Sequence, residues 1–400
     1  MQALQSKVQT SLRRLSAAAV IGSAMTGPLW AETLPVPIGW LKVEQPAPPV
    51  LSNLATKADD LGVAGARLGL ADNATTGSFM GHDYKLTETL VPEGEDPLAA
   101  ARAALADTPL LLIDAPADII VQIADLPEAR SAVLFNTARG EDRLRQQDCR
   151  ANLLHTAPSD AMLSDALMQF ISARRWSRLA LIQGGHPGDA EFAAALDASA
   201  TKFGQKIEAR KTWEFDADMR RNASAEVPLF TQDLGEYDLL LLADTLDDFD
   251  RYIPYNTWLP RPTAGTEGIV ATAWSPVVEQ WGAAQLQGRF DELAGRDMQA
   301  QDYAAWAAVR SIGEAVTRSG VADPSALRDF LLSDDFELAG FKGRQQSFRD
   351  WDGQMRQPIP LVHDRAVVAQ APLEGFMHQQ TELDTMGADR PETTCTAFAN

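Results

Sequence analysis

Apolar positions along this chain recur with two periods, and the periods alternate. Continuous apolar runs stand at 109–114 (PLLLID), 131–136 (SAVLFN), 178–183 (RLALIQ) and 237–243 (YDLLLLA). Runs of this kind read as strands buried on both faces of a parallel sheet. Shorter strands are predicted at 36–41, 84–90, 151–156, 206–213 and 268–272. Between them the apolar residues fall at helical spacing, predicting helices from 48 to 61, 96–107, 117–125, 159–174 and 190–203. In 62–86, Val63, Ala66, Leu70 and Ala71 mark a further helix. Asp72 and Asn73 are expected to end it, with Gly77 and Gly81 in a turn before the next strand. Such alternation predicts parallel sheets flanked by helices, in two series broken near 157–176. Beyond Trp274 the pattern turns helical: Tyr303, Trp306, Val309, Ile312 and Val316 form one apolar stripe stopped by Gly320. Pro324 opens another helix, 341–356 reads as a turn-rich hairpin, and 360–370 as a last strand.

Length and composition fit this picture. The 400 residues, 45% hydrophobic, suffice for two domains with separate cores. The first 31 stand apart. Lys7, Arg13 and Arg14 precede a short apolar stretch, and Pro28-Leu29-Trp30-Ala31 ends in a small residue. This is the pattern of a secretory signal cleaved after Ala31, and its apolar stretch falls short of the ~20 residues of a membrane span. An exported, periplasmic protein is expected. The formal charge of −20 argues against nucleic acid as a partner, because phosphate contacts need Lys and Arg. The two cysteines, Cys149 and Cys395, suggest a disulfide in an exported chain, with two free thiols as the alternative.

The chemistry legible in the chain favours binding over catalysis. None of His82, His155, His186, His363 and His378 lies three or four residues from another, and there is no GxSxG elbow, P-loop or GxGxxG after the first strand. Ligands of open parallel sheets bind beyond the carboxyl ends of the strands. That rule nominates Trp40, Asp114, Asn136 and Thr137 in the first series and Gln183, Asp244, Thr272 and Trp274 in the second. Asp244, Asp247 and Asp248, with Asp250 beside them, are also candidates for a hard cation, although they lack a calcium-loop spacing. No cofactor is indicated.

The 62–86 unit resembles the first helix-to-strand unit of branched-chain-amino-acid-type (Leu/Ile/Val-binding-like) periplasmic binding proteins. The second half resembles a narrower group. Pro254-Tyr255-Asn256-Thr257-Trp258, Glu279-Gln280-Trp281-Gly282, Asp302-Tyr303-Ala304-Ala305-Trp306 and the stretch from Ser347 to Gln354 look like ABC-transporter substrate-binding proteins of PQQ-dependent alcohol dehydrogenase systems. The resemblance implies an α/β, type I periplasmic-binding fold: two doubly wound parallel-sheet lobes joined by three crossover segments. It implies an N-terminal lobe of 32–157 with 285–345, a C-terminal lobe of 158–284 with 346–373, and a tail of 374–400. The implied partners are a small ligand held between the lobes, an inner-membrane ABC permease with its ATPase, and a quinoprotein alcohol dehydrogenase. Binding proteins of this fold that take amino acids usually place small hydroxyl residues after the third strand. Here that place reads Asp114-Ala115-Pro116-Ala117, and Asp114 would repel a carboxylate. An alcohol-related metabolite, a cofactor-related molecule or a metal species is implied instead. The other reading is an accessory or assembly factor for the dehydrogenase, with a degenerate cleft.

Overall fold

The computed structural model describes residues 33–46, 57–214 and 222–398. The expected signal segment and its cleavage after Ala31 lie outside these residues. So does most of the helix expected from Pro48, and residues 57–62 are not helical, with turns over 59–62.

The chain opens with β1 (Leu34–Val43), α1 (Val63–Met80), β2 (His82–Val91), α2 (Pro97–Asp107), β3 (Leu110–Asp114), α3 (Ala117–Ala124), β4 (Val133–Asn136) and β5 (Leu153–His155). These strands form one parallel sheet in the order β2-β1-β3-β4-β5. The second run is α4 (Asp160–Ala173), β6 (Arg178–Gln183), α5 (Pro187–Lys202), β7 (Lys206–Thr212), α6 (Ala223–Thr231), β8 (Leu239–Ala243), β9 (Thr263–Gly265) and β10 (Ile269–Ala271). Then come α7 (Ala283–Ala294), α8 (Ala300–Ser319), α9 (Pro324–Leu331), β11 (Leu338–Ala339), β12 (Gln345–Phe348), β13 (Met355–Arg356), β14 (Ile359–His363) and β15 (Ala366–Ala371). The second sheet has the order β15-β14-β10-β9-β8-β6-β7, parallel except for β14 and β15. A small antiparallel sheet of β11, β12 and β13 buries Leu338, Phe348 and Met355 in one core with the first sheet.

The apolar runs became the buried strands they predicted: β3 and β8 are buried at every residue. Local capping explains several boundaries. Asp96 and Ser159 accept backbone N–H bonds as the caps of α2 and α4, and Gly320 closes α8 in the left-handed region.

Three of these expectations need correction, and one helix was not expected. Helix α1 does not end at Asp72–Asn73 but runs to Met80, where Gly81 at φ 75° caps it. The reason is tertiary. Asp72 accepts a bond from Trp306 Nε1 (2.9 Å), and buried Asn73 donates to the Val309 carbonyl (2.8 Å). Residues that favour helix ends are here consumed by α8. The strand expected over 360–370 is two strands, β14 and β15, paired antiparallel around a turn at Asp364–Arg365. Helix α6, with Pro228 inside it, went unforeseen, and α5 begins at Pro187 rather than 190.

The α1 and α8 helices pack face to face on the first sheet. Trp306, Val309, Ile312 and Val316 are buried in one core with Val36, Ile38, Leu110 and Phe135. A second core joins α4 and α5 to β6, β8 and β14. The chain passes between the two sheets three times, after β5, after β10 and before β14. The first and third passages are tied by buried polar bonds. His155 N donates to the Gly353 carbonyl (2.9 Å), Arg145 Nε to Gln354 Oε1 (2.8 Å), and Gln357 Nε2 to the Thr156 carbonyl (2.9 Å). The arginine and both glutamines are almost fully buried, so these bonds form in a low-dielectric setting where a lost partner is costly.

Candidate ligand-binding site

The carboxyl ends of β3 and β4 carry a group of polar side chains. Asp114 pairs in register with Lys42 of β1 and is 8% exposed. Its Oδ2 accepts a bond from Gln301 Nε2 at the start of α8 (2.7 Å). Burial raises the Asp114 pKa, and the positive charges of Arg139, Lys42 and Lys57 oppose that rise. Arg139 donates from Nε to the Ala115 carbonyl (2.8 Å), so its side chain lies over the end of β3. Asn136 is fully buried and used by its own loop. It accepts from the N–H of Ala138 and Arg139, and its amide lies 2.8 Å from the Arg139 carbonyl and 3.1 Å from His155 Nδ1. Thr137 is 1% exposed, with Oγ1 3.3 Å from the Ile113 carbonyl. Trp40 is buried in the first core, and its Nε1 has no hydrogen-bond partner among the described residues.

At the second sheet, Gln183 stays half-buried and accepts a bond from Arg210 Nη1 (3.1 Å). Asp244 is 3% exposed, and its Oδ2 accepts the N–H groups of Phe249 (2.6 Å) and Asp250 (3.0 Å). Thr272 Oγ1 donates to the Trp274 carbonyl (3.0 Å). Trp274 leaves this sheet altogether. It stacks on Tyr303 of α8 with ring centres 4.9 Å apart and donates to Gln287 of α7 (3.3 Å).

Seven of the eight nominated residues thus fall into sets, and Trp40 stays apart in the first core. Asp114, Asn136 and Thr137 share one strand-end cluster, and Gln183 and Asp244 stand together at the ends of β6 and β8. Thr272 and Trp274 line a hollow of about 350 Å³ between the paired strands β10 and β14 and the segment entering α8. Its other walls include Glu267, Ser275, Asp297, Gln299, His363 and Asp364, with Val270, Met298 and Val362 as apolar lining. Among the described residues no lysine or arginine lines it. Burial raises the Glu267 pKa, and repulsion from Asp364 and Asp247 adds to the rise. The indole, the hydroxyls and the carboxylates suit a ligand that carries hydrogen-bond donors or positive charge.

The acid candidates for a cation do not converge. Asp247 pairs with Arg251, Asp248 is exposed, and Asp244 turns to backbone N–H groups. Among the described residues no group of three or more His, Cys, Asp or Glu is arranged to hold a metal ion. Burial pushes the pKa of Asp250 up, the charges of Asp244, Asp247 and Glu267 add to the rise, and a hydrogen bond with Thr266 opposes it.

Sequence reasoning missed Gln301, Glu267, Asp297, Gln299 and Asp364. They come from loops and a helix start far along the chain, and no spacing rule connects them to strand ends. A helix beginning at Ala300 and packing on the first sheet was the only available pointer.

Two parallel sheets flanked by helices and joined by three passages of chain define a type I periplasmic-binding fold. Solved structures share it. A branched-chain amino acid ABC transporter periplasmic ligand-binding protein from Burkholderia xenovorans superposes with a TM-score of 0.70 at 16% identity, covering 91% of this chain and 100% of that one. The leucine-, isoleucine-, valine-, threonine- and alanine-binding protein from Brucella ovis, in a closed conformation, gives 0.66 at 15% identity, with 87% and 93% covered. A solute-binding protein from R. palustris in complex with benzoate gives 0.60 at 12% identity, with 90% and 99% covered. No protein-family model and no curated protein matches the sequence. No helix of the described residues is long and apolar enough to cross a membrane.

Proposed function

We propose that this chain is the exported solute-binding component of an ABC transporter. It binds rather than transforms its ligand and delivers it to an inner-membrane permease and ATPase. The N-terminal lobe would be 32–157 with 285–345 and the C-terminal lobe 158–284 with 346–373. The two lobes close on a small ligand held between the strand ends and the hollow beside Trp274, and binding selects the closed arrangement. The observation that carries this reading is the hollow itself. It lies between the second sheet and the α8 entry that packs on the first, and it is lined by Thr272, Trp274, Glu267, Asp297 and Asp364.

That lining and buried Asp114 argue for an amine-, hydroxyl- or cation-bearing ligand rather than a simple carboxylate. The tryptophan-bearing segments 254–258, 279–282 and 347–354 support a finer proposal, a link to PQQ-dependent alcohol oxidation. The second reading, a docking factor for the dehydrogenase, is favoured by one feature. Tyr255 and Trp258, in that same family-like stretch, are 94% and 59% exposed.

Thermal-shift measurements on the exported form test both. The probes are amines, alcohols, aldehydes, organic acids, PQQ, calcium and lanthanide ions. A ligand at a hundredfold excess over its Kd stabilises by about 2.7 kcal/mol. Glu267→Gln should abolish a shift caused by a cationic probe. A response to carboxylates alone would overturn the ligand class. Silence towards every probe, with co-purification of the dehydrogenase, would replace the first reading by the second.

A further inference from the structure

The C-terminal segment is bound to both halves of the molecule, and its far end is covalently closed. On the second sheet's side, Phe376 packs against Phe203 at the end of α5 (5.9 Å), and Leu383 and Met386 are buried in the α4–β14 core. Gly387 is held from two sides. Its N–H donates to Asp165 Oδ2 of α4 (2.8 Å), and Lys202 Nζ donates to its carbonyl (2.8 Å). The segment then crosses the third passage of the chain. Arg349 Nη2 donates to the Met386 carbonyl (2.6 Å), Arg349 Nη1 to that of Ala388 (3.2 Å), and Trp351 Nε1 also to Ala388 (3.3 Å). Arg349 and Arg356 share Asp384 Oδ1 (2.9 and 2.8 Å).

It ends on the first sheet's side. Thr394 donates from N and Oγ1 to Gln146 Oε1 (2.8 and 2.9 Å), Cys395 forms a disulfide with Cys149, and Phe398 packs against the first core. Cys149 lies between β4 and β5, far in sequence from its partner.

We propose that residues 374–398 form a fourth connection between the lobes, closed by the Cys149–Cys395 disulfide, that sets how far the lobes can separate. This rests on the reading of two closing lobes. The step from Gly387 to Cys395 spans at most about 29 Å when fully extended. It is not extended here: Glu392 N and Thr393 N both donate to the Asp389 carbonyl (2.8 and 3.0 Å). That turn supplies slack for a limited opening before the disulfide stops it. With the three passages alone, opening is bounded only by the hinge.

The test is an interlobe distance distribution by pulsed electron paramagnetic resonance. Spin labels are attached through a ketone-bearing amino acid at exposed Arg130 and Lys206, so that no cysteine is added. The protein is compared with its disulfide intact, after treatment with a phosphine reductant, and as Cys149→Ser/Cys395→Ser. Circular dichroism on the same samples shows whether they remain folded. The reduced and serine forms should give a broader distribution with its mean moved outward. Equally broad distributions in all three forms would overturn the strap and leave lobe motion intact. One narrow, unchanged distance in all three would overturn lobe closure and the strap with it. If the serine variant fails to fold, the reduced wild-type sample carries the comparison.

Discussion

Replacing Gly65 by alanine should destabilise this protein, although the same change favours an isolated helix. Gly65 lies in α1, and alanine is better than glycine in a helix interior by roughly 0.8–1 kcal/mol. The tertiary structure reverses the sign. A Cβ at Gly65 would stand 2.8 Å from Asp302 Cα and would overlap the Asp302 carbonyl oxygen. Both obstacles are backbone, so neither can rotate away. Helix α1 would have to move off α8 by more than a bond's tolerance. That movement breaks the bond from Gly62 N to Asp302 Oδ1 (2.8 Å) and loosens the Asn73–Val309 bond. Overpacking costs typically 1–3 kcal/mol and more where the site is rigid. Losing a hydrogen bond to a charged group adds about 1.5–3 kcal/mol. After the propensity gain, a net loss of about 2–4 kcal/mol is expected. Gly288 is the control: it lies inside α7, and a Cβ there meets nothing within 4 Å. Gly288→Ala should therefore stabilise by about 0.5–1 kcal/mol. Urea unfolding of both variants at one pH measures the pair. A stability gain in Gly65→Ala equal to that in Gly288→Ala would refute the close approach of α1 and α8.

Two further predictions concern charged groups shielded from water. The Asp160 carboxyl, at the first turn of α4, is pushed up to about 7 by burial and by the charges of Asp142 and Glu141, against about 3.9 for an unfolded aspartate. The folded state then holds its proton more tightly, so this group's stability is full below about pH 4 and is lost as pH rises towards 7. Asp160→Asn should flatten that decline in a series of thermal melts, and parallel wild-type and variant pH profiles would contradict it. Arg349→Met leaves buried Asp384 short of one of its two arginines, since Arg349 is 1% exposed and Asp384 4%. Breaking such a pair costs about 3–5 kcal/mol, and urea unfolding that shows less than 1 kcal/mol would contradict the role given to Arg349.

Much of the fold was legible in the chain because buried strands announce themselves. PLLLID, SAVLFN, RLALIQ and YDLLLLA are apolar on both faces, and only a parallel sheet covered by helices buries both. The 303–316 stripe likewise marked α8, and the two cysteines their disulfide. The end of α1 was not legible. Asp72 and Asn73 carry the local signature of a helix end, and only α8, more than two hundred residues later, supplies the Trp306 and Val309 partners that keep them helical.

The candidate site divides along the same line. Which residues stand at strand ends follows from strand boundaries, which are local. Which side they face, and who meets them, is not. Asn136 turned inward to hold its own loop, Thr137 bonds the Ile113 carbonyl of β3, and Trp274 left its sheet to stack on Tyr303. The hollow draws its carboxylates from Glu267, Asp297 and Asp364, which no period or spacing links. The sequence alone determined the layered α/β architecture, because hydrophobic period is a property of neighbouring residues. The tertiary structure alone decided the ligand-facing surface and the course of the disulfide-bonded tail over both halves, because those depend on segments that meet only after the chain has folded.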